Sequence, residues 1–175
     1  MDRLFAPWRI EWVERDEDPI EGCPFCVLPE RDDARAARVV AENDRAFVLL
    51  NNYPYNPGHA MVVPRRHAAD YAALDEGELL AHARLKQRTL DALRDGLGID
   101  GANTGMNLGG DAAGGSIDDH VHEHVVPRWS GDTNFMPVVG DTKVIVEALD
   151  RTYDRLHDAF AEQDGATVGS GAVRF

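Results

Sequence analysis

The sequence predicts an α+β domain built on a mainly antiparallel sheet of five strands. Three observations carry this prediction: short apolar runs bounded by turn residues, one long amphipathic segment that divides them, and a second helical pattern near the C-terminus. Strands divided by one long helix are typical of this class. At 175 residues the chain suits one domain. We expect that domain over residues 1–160, including an N-terminal arm over 1–30, and a loose tail over 161–175.

Three strands are expected before the long helix. The runs "ARVVAEN" and "AFVLLN" predict two of them, and Asn43-Asp44 between them is a turn signal that favours a hairpin. After the turn-rich segment "NYPYNPGH", the run "AMVVP" predicts a third strand that stops at Pro64.

The long helix is expected to begin after an acidic variant of the capping box, Asp75 followed by Glu78. Gly98 is expected to end it. Between these signals, apolar residues recur at helical spacings: Leu79, Ala83, Leu90, Leu93 and Leu97.

The rest of the chain adds two strands and a helix. The runs "NTGMNL" and "HVHEHVVP" predict the fourth and fifth strands, with the glycine-rich stretch "GGDAAGGS" between them. The segment "VIVEALDRTYDRLHDAF" predicts a C-terminal helix, and "AEQDGATVGSGAVRF" is expected to form the loose tail.

Charge and hydropathy argue against two classes of partner. The chain has 31 acidic and 18 basic residues, a formal net charge of −13, so it lacks the basic footprint that general nucleic-acid binding needs. An anionic ligand must therefore be held by a local site that overcomes the negative electrostatic potential of the whole protein. No apolar run approaches a membrane span, and the N-terminus lacks the plan of a signal peptide. We expect a cytoplasmic protein with no membrane partner.

Cys23 and Cys26, in "GCPFCV", are the only cysteines of the sequence. A C-x-x-C pair is compatible with a zinc half-site, a redox pair or a small disulfide. A site of four cysteines is impossible, so a zinc ion would need other ligands as well.

Three of the seven histidines fall in the stretch "HVHEHVVPRW" at a spacing of two residues. Residues two apart on a strand point to the same face, so His120, His122 and His124 are expected to project together. Imidazole is a nucleophile, an acid or base, and a metal ligand near neutral pH. The row therefore indicates a functional site.

The triad pattern, together with the upstream segment "NYPYNPGHAMVVPRRH", resembles the histidine triad (HIT) family of nucleotidyl hydrolases and transferases. The likeness covers roughly residues 20–130. The flanking segments "APWR" and "PRWSGDTNFMP", and Ile117 three residues before His120, are similar to the branch that contains diadenosine tetraphosphate phosphorylases. The resemblance implies a HIT-like fold and a homodimer.

Catalytic roles follow from this resemblance. His122 would be the nucleophile that attacks the α-phosphorus of a nucleoside polyphosphate and forms a covalent nucleotidyl-histidine. His124 would donate to a non-bridging phosphate oxygen, and His59 in "NPGH" would complete the cluster from the third strand.

Contacts to the nucleotide follow from the same resemblance. Asn51 would hold the ribose hydroxyls, since an amide supplies both a donor and an acceptor. Asn107 and Ser116, which flank the glycine-rich loop, would help its backbone N–H groups to cradle phosphate oxygens. Trp129 and Phe135 are expected either in the wall of a purine pocket or in the core.

Two features depart from the family pattern. Glu123 occupies a position that the family usually fills with an apolar or aromatic residue, so that face of the strand is expected to be wet or to meet a subunit neighbour. Asp118 and Asp119 fall beside the expected phosphate site, where carboxylates would raise the pKa of a histidine but repel a polyanion.

The resemblance also implies a zinc site, because zinc-containing members carry a C-x-x-C pair and two histidines as ligands. By position these are Cys23, Cys26, His67 and His120. Two thiolates and two imidazoles make a closed tetrahedral site, which is structural rather than catalytic. The remaining histidines, His82 and His157, lie in helical patterns and are expected to be exposed.

The expected function is that of an enzyme that cleaves nucleoside polyphosphates, such as diadenosine polyphosphates, at the α-phosphorus through His122. No organic cofactor is expected. Two alternatives stay open. The histidine row could bind a catalytic metal in a metal-dependent phosphoesterase, or the protein could be a nucleotide-binding regulator without relevant turnover.

Overall fold

The computed structural model of the protein describes residues 20–113, 117–132 and 147–175. Its strands are β1 Val39–Glu42, β2 Ala46–Leu50, β3 Ala60–Pro64, β4 Gly101–Met106, β5 Glu123–Arg128 and β6 Val173–Arg174, and its α-helices are α1 Pro24–Val27, α2 Glu76–Leu97 and α3 Leu149–Ala161.

The strands form one sheet in the order β4-β5-β3-β2-β1-β6. Neighbouring strands are antiparallel except β1 and β6, which are parallel. The α+β class is confirmed, but the described residues contain six strands where the sequence predicts five.

The hairpin of β1 and β2 is confirmed, and the side chain of Asn43 closes its turn. The Asn43 carboxamide oxygen accepts hydrogen bonds from the backbone N–H groups of Arg45, at 2.9 Å, and of Ala46, at 2.8 Å. Asparagine side chains favour turns for this reason. The chain then returns through β3, which has the predicted bounds.

The helix α2 begins and ends where its local signals predict. The Asp75 carboxylate accepts from the Glu78 N–H at 2.8 Å, and the Glu78 carboxylate accepts from the Asp75 N–H at 2.8 Å, which completes the capping box. Gly98 ends the helix at a φ of 64°, in the left-handed region that glycine adopts at low cost.

The C-terminal tail is partly ordered, contrary to the prediction of a loose tail over residues 161–175. Val173 is buried and pairs with Ala41, while the N–H of Phe175 donates to the Glu42 carbonyl at 3.0 Å. The guanidinium carbon of Arg88 lies 3.9 Å from the centre of the Phe175 ring. These contacts join segments that are far apart in sequence, so no local sequence pattern predicts them.

The C-terminal helix also differs from its prediction at the start. It begins at Leu149, so "EALD" contributes only its last two residues to it. Residues 144–146, which open the predicted helix, lie outside the described residues. Within the described ranges, every helix is too short or too polar to span a bilayer.

The two faces of the sheet carry different layers. One face packs against α2 and α3 in the main hydrophobic core, which includes Leu50, Val62 and Leu93. The other face carries a smaller apolar cluster that includes Phe25 of α1. Leu49, Met61 and His124 are successive cross-strand neighbours and therefore share one face. The triad thus lies on the side covered by α1, away from the long helix.

Candidate active site

The triad segment is only partly a strand. Because β5 begins at Glu123, His120 and His122 precede the strand, whereas the sequence predicts a strand that includes both. His122 and His124 nonetheless lie side by side, with ring centres 4.9 Å apart. The expected grouping is therefore present for this pair, whereas Nδ1 of His120 lies 3.3 Å from the sulfur of Cys23.

His122 is held in one tautomer by the main chain. Its Nδ1 lies 2.9 Å from the backbone carbonyl of His120. A carbonyl oxygen can only accept, so the proton of the neutral ring lies on Nδ1 and Nε2 keeps its lone pair. Burial lowers the pKa of His122, which keeps the ring neutral near pH 7. A neutral imidazole with an unprotonated Nε2 is a competent nucleophile.

His59 and His124 form a hydrogen-bonded pair beside His122. His59 Nε2 lies 2.9 Å from His124 Nδ1. The backbone N–H of Tyr55 donates to His59 Nδ1 at 3.2 Å, so the proton of a neutral His59 lies on Nε2 and is donated to His124. His124 then carries its own proton on Nε2. Burial and the neighbouring His122 lower the pKa of His124 to about 4.

A second cluster contains the four predicted metal ligands. The ligand atoms of Cys23, Cys26, His67 and His120 all lie within 4.8 Å of one another. His120 Nδ1 lies 3.3 Å from the sulfur of Cys23 and 3.6 Å from that of Cys26, and His67 Nδ1 lies 3.4 Å from the Cys26 sulfur.

These residues fit a tetrahedral zinc ion. Bonds of about 2.0–2.3 Å place the ligand atoms of such a site roughly 3.3–3.8 Å apart. The three sulfur–nitrogen distances given above, 3.3, 3.4 and 3.6 Å, lie in this range. His120 Nε2 donates to the Pro64 carbonyl at 2.8 Å, which fixes the ring with Nδ1 towards the cysteines. The Asp119 carboxylate lies 3.8 Å from His67 Nε2, at the edge of the same cluster.

Of the predicted nucleotide-binding residues, Asn51 is the one with a contact to a histidine of the site among the described residues. Asn51 follows β2 beside His59, since its N–H donates to the His59 carbonyl at 2.9 Å. Its carboxamide oxygen accepts from the Tyr53 N–H at 2.8 Å. Asn107 follows β4 and is exposed, and Trp129 is partly buried against the main core. Ser116, Phe135 and the segment "APWR" lie outside the described residues.

The side chain of Glu123 is buried on the face opposite the triad, so the expectation of a wet or subunit-facing surface is wrong for it. Its carboxylate accepts from the Lys86 ammonium at 3.1 Å. His82 lies in the same layer and is 1% exposed, with Nε2 3.3 Å from the Val62 carbonyl. The prediction that His82 is exposed is therefore wrong. His157 is half-buried, and its Nε2 lies 3.2 Å from the Gly171 carbonyl.

Two aromatic residues contact histidines of the two clusters in ways that the motifs do not predict. The Phe25 ring centre lies 4.8 Å from that of His122 and 5.5 Å from that of His120. The Tyr55 ring stacks on His59 with centres 5.0 Å apart. Each aromatic residue falls inside a motif, between the two cysteines or just before "NPGH", and that position is the signal that could have identified it.

The sequence is similar to known proteins over most of its length. The HIT domain family model matches residues 33–131. The AP-4-A phosphorylase of Mycobacterium tuberculosis is 38% identical over 175 residues, which cover 93% of this chain and 86% of that protein.

Solved structures of similar fold include a zinc-bound histidine triad family protein from Mycobacterium smegmatis. It has a TM-score of 0.64 and 27% identity, with 81% of this chain and 94% of that chain covered. A hypothetical histidine triad nucleotide-binding protein from Sulfolobus tokodaii has a TM-score of 0.62 and 25% identity, with coverage of 79% and 91%. The family match, the extended similarity and the shared fold lead to one conclusion: this chain belongs to the HIT domain family.

Proposed function

We propose that the protein is a HIT-type nucleotide hydrolase or phosphorylase that cleaves nucleoside polyphosphates, such as diadenosine polyphosphates, at the α-phosphorus. The similarity to a protein named AP-4-A phosphorylase, over 93% of this chain, supports the substrate class. The observation that carries the mechanism is the hydrogen bond between His122 Nδ1 and the His120 carbonyl, because it leaves Nε2 of His122 as the nucleophile.

The reaction proceeds in two displacements. In the first, His122 Nε2 attacks the α-phosphorus, and the bond from that phosphorus to the bridging oxygen breaks, so the rest of the substrate leaves as a phosphate anion. In the second, water or inorganic phosphate attacks the nucleotidyl-histidine and gives up a proton. The phosphorus–nitrogen bond then breaks, which regenerates His122 and releases a nucleoside monophosphate or diphosphate.

Positioning and charge stabilisation are assigned to the neighbours of His122. His124 donates its Nε2 proton to a non-bridging oxygen, where negative charge grows in the transition state. His59 supports His124 through their 2.9 Å contact. Asn51 binds the ribose hydroxyls, and Asn107 and Ser116 contact phosphate oxygens with the backbone of the glycine-rich loop.

Zinc has a structural role in this proposal. Cys23, Cys26, His67 and His120 would hold it as a closed site, which supplies a cross-link between chain segments and leaves no position open for substrate. The protein is further proposed to act as a homodimer in which each chain forms one domain, and β6 of the C-terminal tail belongs to the sheet of that domain.

The geometry disfavours the alternative in which the histidine row binds a catalytic metal. Nδ1 of His120 is turned towards the cysteines, and Nδ1 of His122 is bonded to a carbonyl. The three triad rings are therefore not arranged around a common point. A regulator without turnover would retain the same pocket, so measured turnover separates it from the enzyme.

The test is the activity of His122→Ala towards diadenosine tetraphosphate, with His157→Ala as a matched control distant from the triad. His122→Ala is expected to lower kcat by at least about 10³-fold while nucleotide still binds, because the nucleophile is lost and the pocket remains. His157→Ala is expected to behave as the wild type. A His122→Ala protein with wild-type turnover would refute the mechanism.

A further inference from the structure

We propose that Tyr55 is a positioning residue that holds His59, and through it His124, in the tautomers that aim a donating N–H at the substrate phosphate. This inference rests on the proposed function for its consequence in catalysis, although the tautomers themselves can be measured without any substrate.

Tyr55 contacts His59 in two ways from the loop between β2 and β3. Its backbone N–H donates to His59 Nδ1 at 3.2 Å. Its ring lies nearly parallel to the imidazole, with centres 5.0 Å apart and an interplanar angle of 16°. The hydrogen bond selects which nitrogen accepts, and the stack fixes the plane in which the imidazole lies.

The loop that carries Tyr55 is itself fastened at its other end. The N–H of His59 donates to the Asn56 carbonyl at 3.0 Å. The Asn56 carboxamide donates to the Pro127 carbonyl of β5 at 2.7 Å. The loop is thereby tied to the strand that bears His124, so the distance between the two histidines is set by backbone contacts as well as by their own bond.

A chain of donors and acceptors passes the effect of Tyr55 to His124. Since His59 Nδ1 accepts from Tyr55, its proton is on Nε2 and is donated to His124 Nδ1 over 2.9 Å. His124 can then carry its proton only on Nε2. If His59 adopted the other tautomer, its Nε2 would become an acceptor. The proton of His124 would move to Nδ1, and its Nε2 could no longer donate to a phosphate oxygen.

The exposures of the two residues point to a shielding role for the ring. Tyr55 is 52% exposed, whereas His59 beneath it is 1% exposed. Without this ring, water could reach His59 and serve as donor or acceptor to either nitrogen, so the tautomer would be less strictly selected.

The neutral state of His124 makes its tautomer decisive. Burial and His122 keep the pKa of His124 near 4, so the ring carries one proton at neutral pH. An imidazolium would donate from both nitrogens, but a neutral ring donates from one. The hydrogen-bond chain that begins at Tyr55 leaves Nε2 as the nitrogen of His124 that donates.

Two variants separate the ring from the backbone contact. Tyr55→Leu keeps the backbone N–H and a side chain of apolar bulk but removes the aromatic face, whereas Tyr55→Phe keeps the face. Long-range proton–nitrogen NMR of the histidine rings in the intact protein at pH 7 reports the tautomers, with His59→Gln and His124→Gln used for assignment. The wild type and Tyr55→Phe are expected to show the Nε2-protonated form at both His59 and His124. Tyr55→Leu is expected to show a mixture at His59.

Kinetics with diadenosine tetraphosphate complete the test. Tyr55→Leu is expected to lower kcat by about 10-fold to 100-fold, part of the range for a misplaced proton donor, with KM changed by less than about three-fold. Tyr55→Phe is expected to match the wild type. Wild-type tautomers in Tyr55→Leu, an unchanged kcat, or an Nδ1-protonated His59 in the wild type would each overturn the proposal. Failure of the proposed function would appear instead as turnover by His122→Ala, while the NMR result would stand on its own.

Discussion

The histidines of the site differ in which ring nitrogen has a partner. His120 uses Nε2 to donate to the Pro64 carbonyl, and its Nδ1 faces the cysteines. His122 uses Nδ1 to donate to the His120 carbonyl. His124 accepts at Nδ1 from His59. These three arrangements are the ones that the proposed roles of metal ligand, nucleophile and donor require.

Burial and His122 hold the pKa of His124 below the ordinary value for histidine. Titration of its ring by NMR is expected to give a pKa near 4, whereas an ordinary histidine titrates near 6.5. Since the unfolded chain binds this proton more readily, the contribution to folding stability is complete above pH 6.5 and is lost as the pH falls towards 4. A midpoint near 6.5 would show that the ring is hydrated and would contradict the buried pair with His59.

The sequence could place the three histidines together but could not assign their nitrogens. Alternate residues of an extended segment lie on one side, so spacing alone predicts the row. The partners that select each tautomer come from other segments, as Pro64, His59 and Tyr55 do. No local pattern in "HVHEHVVPRW" contains that information.

At the level of secondary-structure elements, the start of α2 is hydrogen-bonded to the segment that follows β3. Besides capping the helix, the Glu78 carboxylate accepts from Arg66 Nε at 2.7 Å and from its terminal nitrogen at 2.8 Å. Arg66 precedes His67, one of the four residues of the cysteine–histidine cluster. The hydrogen bonds from Arg66, followed by the one from the Asp75 N–H, lower the pKa of Glu78 to about 2.

Glu78→Gln is expected to lower the free energy of unfolding by about 1 kcal/mol at pH 7, because the cap and the charged bond to Arg66 both weaken. The folded-state pKa lies below the ordinary 4.5 of this group, so its stabilising effect is complete above pH 4.5 and disappears as the pH falls through about 2. Urea unfolding of both proteins between pH 7 and pH 3 measures the difference. Glu76→Gln, in the same helical turn, is the control, and a difference that did not shrink with falling pH would contradict this account.

Elements with local signals were predictable and elements made by distant contacts were not. The capping box of α2 and the hairpin turn at Asn43 each lie within four consecutive residues. β6 depends on pairing with β1, more than a hundred residues earlier, and no pattern within "GAVRF" indicates it. The burial of His82 similarly follows from the packing of α2 on the sheet, because its helix position alone is compatible with exposure.

At the scale of the whole molecule, the cysteine–histidine cluster joins three separate segments. The cysteines flank the start of α1, His67 follows β3, and His120 precedes β5. Phe25, between the cysteines, packs on the ring of His122. Zinc in this cluster would therefore hold α1, whose Phe25 covers His122, against the sheet.

Removal of zinc is expected to lower Tm by about 5 °C or more, because a cross-link of three segments is lost. Cys23→Ser is expected to lower Tm to a similar extent, and chelator is expected to have little further effect on that variant. Metal analysis should find about one zinc per chain in a reduced, unchelated preparation, as a single four-ligand site requires. Absence of zinc from such a preparation, or a large additional effect of chelator on Cys23→Ser, would contradict the closed site.

The covalent role of His122 is tested by the intact mass of the protein after rapid mixing with diadenosine tetraphosphate in the presence of chelator. The reaction should be stopped with alkali or denaturant, because phosphorus–nitrogen bonds to histidine are labile in acid. An added mass of one AMP unit is expected on the wild type, and none is expected on His122→Ala. If His122→Ala gained the same mass, or if the wild type turned over rapidly without any adduct and only with added metal, the covalent role of His122 would be contradicted.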